Sequence, residues 1–390
     1  MFYTLMHKDV EVLSFAVKEP YKWAQIHEIY NEAHLPYNIQ RPVNSKEHEL
    51  NYFLGSRVIP NSRENIHAIL ASYQVGNAFE LSMSSYMASI SDHYWVKPEG
   101  MDISWKDINF YENAFDEDKI FIKHTSSFGK FKDQKRRPHL NPNTSNNGTM
   151  AQMWLRQKQG LYLYKLGRKT FFQETLNEAV ASDLLDLLQI PHVSYHIESF
   201  ERQDVSVCQA FTNDDLEFVP AWQIFNHPKP NRAMTELDYY IQLLGQLGLD
   251  EQEVRLANEQ MILFDYVIAN EDRHWGNFGI VRNSSTLQPV GLAPIFDNGN
   301  SLRYQDAYVT SPRSSNHYVS RSFRTRHDNN LKQLRLLDGS LFDALENSIS
   351  DIFERQHDKL QNPQFPLERA TQLAQFVEKR IDLLHANLNK

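Results

Sequence analysis

Residues 265–299 constrain the fold more than any other stretch of this chain. A helix-like run, Gln260–Ala269, leads to Asp272, and Asn277 completes an Asp-x-x-x-x-Asn arrangement. A short apolar run, Phe278–Val281, reads as a strand. A second run, Leu292–Phe296, opens directly into Asp297-Asn298-Gly299. Loops held from both sides by regular elements can fix side chains in place. Two carboxylates and an amide so placed suit phosphoryl transfer. One carboxylate orients the attacking hydroxyl, while the amide and the second carboxylate offer hard oxygens to Mg²⁺ across the phosphates. An isolated Asp/Asn pair more often caps a helix or closes a turn. Here Arg273, His274 and Gly276 lie between the pair and an Asp-Asn-Gly turn follows, which moves the reading to an active site.

The two motifs, NEDRHWGNFG and APIFDNG, resemble the catalytic core of the HipA-like kinases. These are bacterial Ser/Thr protein kinases with a fold related to eukaryotic protein kinases and phosphatidylinositol kinases. The motif order is also similar to that of lipid kinases, where Asp-Arg-His-x-x-Asn precedes Asp-Phe-Gly. The resemblance covers residues 145–385. SDHYWVKPEG and DINFYEN, within Ser91–Asn113, are similar to the amino-terminal region of HipA-like proteins of Gram-positive bacteria and phages. The resemblance implies an α+β, two-lobed protein-kinase-like fold with a mostly helical N-terminal extension. It implies ATP and Mg²⁺ as cofactors, a protein substrate with a Ser/Thr hydroxyl, autophosphorylation, and a role as a toxin or stress regulator restrained by a small antitoxin-type protein.

The chain has 390 residues, enough for two or three domains. Its 23 Phe, 18 Tyr and 6 Trp argue for a packed protein rather than a disordered one. The formal net charge of −9 does not favour direct nucleic-acid binding. A single cysteine, Cys208, excludes an internal disulfide or a multi-cysteine zinc site and suits a reducing cytoplasm. It lies in the apolar run Val205–Phe211, which predicts a buried, inert thiol. The opening MFYTLMHKDVEVLSF lacks the pattern of a secretory signal, and no window is long and apolar enough to span a membrane. A cytoplasmic protein is expected.

Four regions follow from pattern. Residues 1–115 read as a mostly helical docking or regulatory region. A strand pair turns at Lys8-Asp9, and helices are predicted over Tyr21–Glu32, Ser45–Arg57, Arg63–Tyr73 and Asn77–Ile90. Residues 116–145 form a polar linker that includes the basic cluster Lys130, Lys132, Lys135, Arg136 and Arg137. This cluster reads as a solvated linker or as a patch for an acidic partner or nucleic acid. Residues 146–230 form an ATP-binding part like a kinase N-lobe. Residues 231–390 form a helical C-lobe that carries the catalytic and metal loops.

Within the ATP-binding part, the turn Asn147-Gly148-Thr149 stands where the family's phosphate loop lies. It holds one glycine and matches neither G-x-G-x-x-G nor G-x-x-x-x-G-K-[ST], so backbone N–H groups would have to serve. Ser145 and Thr149 are the autophosphorylation candidates that the resemblance suggests. Lys165, on a strand-like run, and Glu178, on the helix predicted over Thr175–Leu188, are expected to form the pair that aligns ATP phosphates, with Glu174 second. Asp272 is the expected base or orienting group, and Asn277 and Asp297 are the expected Mg²⁺ ligands. Arg273 is read as neutralising charge or bracing the loop, Glu271 as a solvent-facing or bracing acid, and His274 as bracing the Asp297 turn. Gly299 answers a need for positive φ or a close approach. Residues 301–330, which mix hydroxyls and arginines, occupy the place of an activation segment. A small-molecule or lipid phosphotransferase and a nucleotide-binding pseudokinase are the competing readings.

Overall fold

The computed structural model describes residues 2–18, 23–122, 140–168, 172–225, 233–309, 312, 318–361 and 365–388. The basic cluster at Lys130–Arg137 lies outside them, as do Thr310, Ser311, Arg313, Ser314 and Ser315 of the expected activation segment. In chain order the elements are β1 (Phe2–His7), β2 (Val10–Lys18), β3 (Trp23–Ile29), α1 (Tyr37–Gln40), α2 (Lys46–Gly55), α3 (Ile66–Tyr73), α4 (Ala78–Met83), β4 (Tyr94–Pro98) and α5 (Trp105–Ile108). Then come β5 (Ala151–Gln157), β6 (Gly160–Leu166), α6 (Gln173–Leu187), β7 (Tyr195–Phe200), β8 (Gln203–Gln209), β9 (Leu216–Pro220), α7 (Ala221–Ile224), α8 (Glu236–Gln246) and α9 (Glu251–Val267). The chain closes with β10 (Gly279–Asn283), β11 (Pro289–Leu292), β12 (Val319–Ser320), β13 (Thr325–Arg326), α10 (His327–Leu331), α11 (Ile349–His357) and α12 (Leu367–Leu388).

The chain divides into two compact units. The first comprises 1–165, 212–228 and 281–288, and the second comprises 166–211, 229–280 and 289–390. The first unit contains an antiparallel sheet in the order β3-β2-β1-β4. Leu5 pairs with Leu13 of β2 and with Val96 of β4, and one face of the sheet packs on Leu50, Phe53 and Leu54 of α2. Ser45 caps α2 by accepting the His48 N–H, as the Ser45–Arg57 pattern requires. The helix predicted over Tyr21–Glu32 is, in its described part, strand β3 instead. The open edge of β2 offers backbone pairing along its length, with Val17 opposite Ala24 and Leu13 opposite Ile29, and this outweighs a weak helical spacing. The helix predicted over Asn77–Ile90 stops at Met83, because Tyr86 and Met87 both take left-handed backbone conformations.

In the second unit α6 carries twelve buried residues and packs against the β7–β8 hairpin, where Tyr195 pairs with Cys208. Cys208 is buried, as expected. Thr235 caps α8 by accepting the Asp238 N–H, and Asp250 caps α9 by accepting from Gln252 and Glu253. No helix among the described residues is long and apolar enough to cross a membrane.

Candidate active site

Helix α9 delivers the first motif. Its last turn closes when the Asn270 N–H reaches back to the Asp265 carbonyl (2.9 Å) beside Ala269, which is left-handed. The side chain of Asn270, fully buried, donates to the Asp265 carboxylate (3.0 Å) and accepts from the Asp272 N–H (3.0 Å). Beyond it the loop folds on itself. The Asp272 carbonyl accepts from His274 N–H (2.7 Å) and from Asn277 Nδ2 (3.2 Å), and His274 Nδ1 accepts from Gly276 N–H (3.0 Å). Asn277 Nδ2 is thereby committed, and its Oδ1 receives no hydrogen bond from the described residues. That oxygen is the donor left for a cation.

Arg273 braces the loop from below. It is fully buried and pairs with Asp265 (3.1 Å) through Nε and Nη2. Nη1 donates to the carbonyls of Asn277 (3.2 Å) and Phe296, and Nη2 also reaches Asn298 Oδ1 (2.5 Å). One guanidinium thus holds the end of α9, the Asp272–Asn277 loop and the Asp297 turn. The brace expected of His274 belongs to Arg273, and His274 is exposed. Burial pushes the Asp265 carboxyl above its ordinary value, although Arg273 and Asn270 oppose the shift.

The second motif is equally anchored. Asp297 takes a left-handed conformation (φ 58°), uncommon for a residue other than glycine and a form of strain that clusters at functional sites. Asn298 N–H donates to Glu178 Oε2 (2.8 Å), and Asn177 Nδ2 donates to the carbonyls of Gly299 and Ser301 (2.8 Å each). Gly299 answers a close approach, since a Cβ there would sit 3.3 Å from Glu178 Oε1 and 3.4 Å from Glu174. The positive φ falls on Asp297. Asn300 then joins the motifs by donating to Asp272 Oδ2 (2.5 Å).

Asp272 has a further partner that sequence spacing does not reveal. Arg321, from the expected activation segment, donates to Asp272 Oδ1 (2.7 Å). Phe323, two positions on, packs with Trp275, Phe278 and Tyr240, at ring distances of 5.3, 5.7 and 6.4 Å. Glu271 accepts from Arg303 (3.1 Å) and from the Val319 N–H (3.2 Å), so it braces the same segment. Asp272, Asn277, Asp297 and Glu178 are therefore brought together within the second unit, with Arg273, Asn298 and Asn300 as their supports.

The first unit holds the other predicted residues. Lys165 lies near the end of β6, which is hydrogen-bonded to β5, and is 4% exposed. Asn147 and Thr149 are exposed and Gly148 is half-buried with φ 131°. Ser145 is buried, and its hydroxyl donates to the Ala88 carbonyl.

The first unit also gathers His7, His93 and Glu217, whose ligand atoms lie within 4.8 Å of one another. These residues are too far apart in sequence for any spacing motif. Their donor set does not fit a cation. Arg282 donates to Glu217 Oε1 (2.6 Å), and Oε2 accepts from the His93 backbone N–H (3.1 Å) and lies 3.1 Å from nitrogens of both histidines. Burial pushes the Glu217 carboxyl up, but Arg282, His7 and His93 outweigh it and hold the group well below its usual range.

Comparison with known proteins identifies the family. None of the curated proteins compared matches the chain. Among solved structures, HipA of Shewanella oneidensis MR-1, from a toxin–antitoxin complex with HipB and operator DNA, aligns over 98% of this chain and 97% of its own, with TM-score 0.52 and 13% identity. CtkA, a proinflammatory kinase of Helicobacter pylori, aligns over 61% of this chain and 94% of its own, with TM-score 0.47 and 19% identity. The family model for the HipA-like C-terminal domain matches residues 135–363, more than half of the chain, and the protein belongs to that family.

Proposed function

We propose that the protein is an ATP- and Mg²⁺-dependent kinase acting on Ser or Thr hydroxyls of proteins, itself included. The observation that carries this reading is the junction of the two motif loops, made by Arg273 below and by Asn300 on Asp272 above. Asp272 orients the acceptor hydroxyl and takes its proton late in a loose transition state, where positioning counts for more than basicity. Asn277 Oδ1 and the Asp297 carboxylate fit a hard cation. When bound there, Mg²⁺ neutralises charge on the transferred phosphoryl group. Lys165 and Glu178 align the nucleotide phosphates, and the Asn147–Thr149 turn receives them. Of the two autophosphorylation candidates, Thr149 is exposed while Ser145 is buried with its hydroxyl engaged, so we assign modification to Thr149.

Because the Shewanella HipA occurs with HipB, we extend to this chain a small antitoxin-type partner and a toxin or stress-regulating role in the cytoplasm. Residues 1–115 are assigned to docking or regulation, 116–145 to a linker, 146–230 to ATP binding and 231–390 to catalysis.

The test is phosphate incorporation from labelled ATP with Mg²⁺, with a host lysate as acceptor pool. Wild type is expected to label itself or a lysate protein. Asp272→Asn and Asp297→Asn, each folded, are expected to label nothing. Nucleotide binding without transfer to any protein in the wild type would overturn the proposal.

A further inference from the structure

Arg63 stands just before α3 and is 1% exposed, yet among the described residues it faces no carboxylate. Its Nε donates to the Gly148 carbonyl (2.8 Å) and its Nη2 to the Asn146 carbonyl (2.5 Å), while Nη1 has no hydrogen-bond partner among the described residues. Burial pushes the guanidinium down to about 9, so it remains a cation at neutral pH. A buried cation without an anionic partner is costly. Neighbouring Asn65 anchors the base of this segment by donating to the carbonyls of Ile120 and Phe121.

Gln152 completes the arrangement. Its Nε2 donates to the Asn147 carbonyl and to Asn146 Oδ1 (3.1 Å). The carbonyls of Asn146, Asn147 and Gly148 are thus all drawn toward two side chains. In a planar trans peptide the N–H points opposite to the C=O. The N–H groups of Asn147, Gly148 and Thr149 are therefore turned away from Arg63 and Gln152, in succession, which is the form of an anion-receiving nest. At present Asn147 Oδ1 covers the Gly148 N–H (2.8 Å), much as a phosphate oxygen would. Gly148 cannot be replaced cheaply, because its φ of 131° strains any residue that carries a side chain, and a Cβ there, 2.6 Å from Gln152 Nε2, would push that amide off the Asn147 carbonyl.

We infer that Arg63 is a positioning residue for nucleotide phosphates. By holding two carbonyls of the Asn146–Thr149 turn, it fixes the peptide orientation that a glycine-rich loop supplies elsewhere, and its positive charge adds to the attraction for the anion. This rests on the reading of that turn as the phosphate site. It ties the nucleotide's phosphates to a residue outside the span matched by the family model.

The test compares binding of ATP and of adenosine by the full chain, wild type against Arg63→Gln, Arg63→Lys and Gln152→Leu. Wild type is expected to prefer ATP. Arg63→Gln is expected to lose about tenfold in ATP affinity with adenosine unchanged, the effect of one charge-assisted contact. The KM for ATP rises more than kcat falls, and Arg63→Lys recovers part of the loss. If Arg63→Gln does not fold, Gln152→Leu carries the same comparison through the Asn147 carbonyl. An unchanged ATP-to-adenosine ratio, or equal loss of both ligands, would overturn the role of Arg63. A wild type with no preference for ATP over adenosine would instead remove the phosphate turn itself.

Discussion

Each unit of this protein buries an arginine–carboxylate pair, and the two are spent differently. In the first unit Glu217 faces Arg282, His7 and His93, and its carboxyl is held well below its usual range. In the second unit Asp265 faces Arg273, and burial leaves its carboxyl raised. Arg273 has other obligations, since its remaining donors hold the carbonyls of Asn277 and Phe296 and the side chain of Asn298. Arg282 stacks on Tyr37 and Tyr94 and donates to the Tyr94 hydroxyl (2.9 Å), all within one packed core. The first pair ties side chains of one core together, whereas the second, with its carboxyl raised, holds the two loops that carry the candidate site residues.

The strongest way to break this contrast is Glu217→Gln. Leaving Arg282 buried without its carboxylate should cost about 3–5 kcal/mol in chemical denaturation. Phosphoryl transfer by the surviving folded protein should stay near the wild-type rate. A stability change near zero would mean that the network is not a structural keystone. Next in size is Arg273→Met. Loss of its grip on Asn277, Phe296 and Asn298 should lower kcat by about 100-fold, about 2.7 kcal/mol, through misplacement of the residues proposed to hold the metal and the acceptor. A variant with normal kcat and reduced stability would erase the difference between the two arginines.

The smallest effect sharpens the comparison through pH. Glu217 is depressed in the fold, so its contribution is complete above its unfolded value of 4.5 and is lost as pH falls through its lower folded value. Asp265 is raised above 3.8, so its ionised form costs stability, and that cost is relieved as pH falls through its folded value. Denaturation on the acid side should show the deficit of Glu217→Gln shrinking below pH 4.5. Over the acid range the advantage of wild type over Asp265→Asn should grow. Parallel trends would refute the assignment.

Much of the second unit's candidate site was legible in the sequence, because Asp272, Asn277 and Asp297 lie on two short loops whose flanking runs are readable. Their supports were less so. Asn300 lies only just past the second motif, but its contact with Asp272 depends on how two loops meet. Arg321 reaches Asp272 from a segment without periodicity. Arg63 and the Asn146–Gly148 carbonyls, like His7 and Glu217, are paired by folding over long sequence distances that no local pattern encodes. His274 invites a catalytic reading by its residue type, yet the brace is the arginine before it, whose rigid fork can hold several acceptors at once. The Tyr21–Glu32 window misled for a related reason. Its partner is the edge of β2, and strand formation depends on such a neighbour more than helix formation does.

Arg273 also works as a ruler. Its fixed reach joins Asp265, Asn277, Phe296 and Asn298, so the lengths of chain from the helix end to the catalytic loop and around the Asp297 turn are metered by a single side chain. The stretch between the two motifs, through the turn at Asn283–Gln288, is not measured by it. Variation in length among members of this family would be absorbed there, while an inserted residue within Glu271–Asn277 would leave the guanidinium short of at least one acceptor.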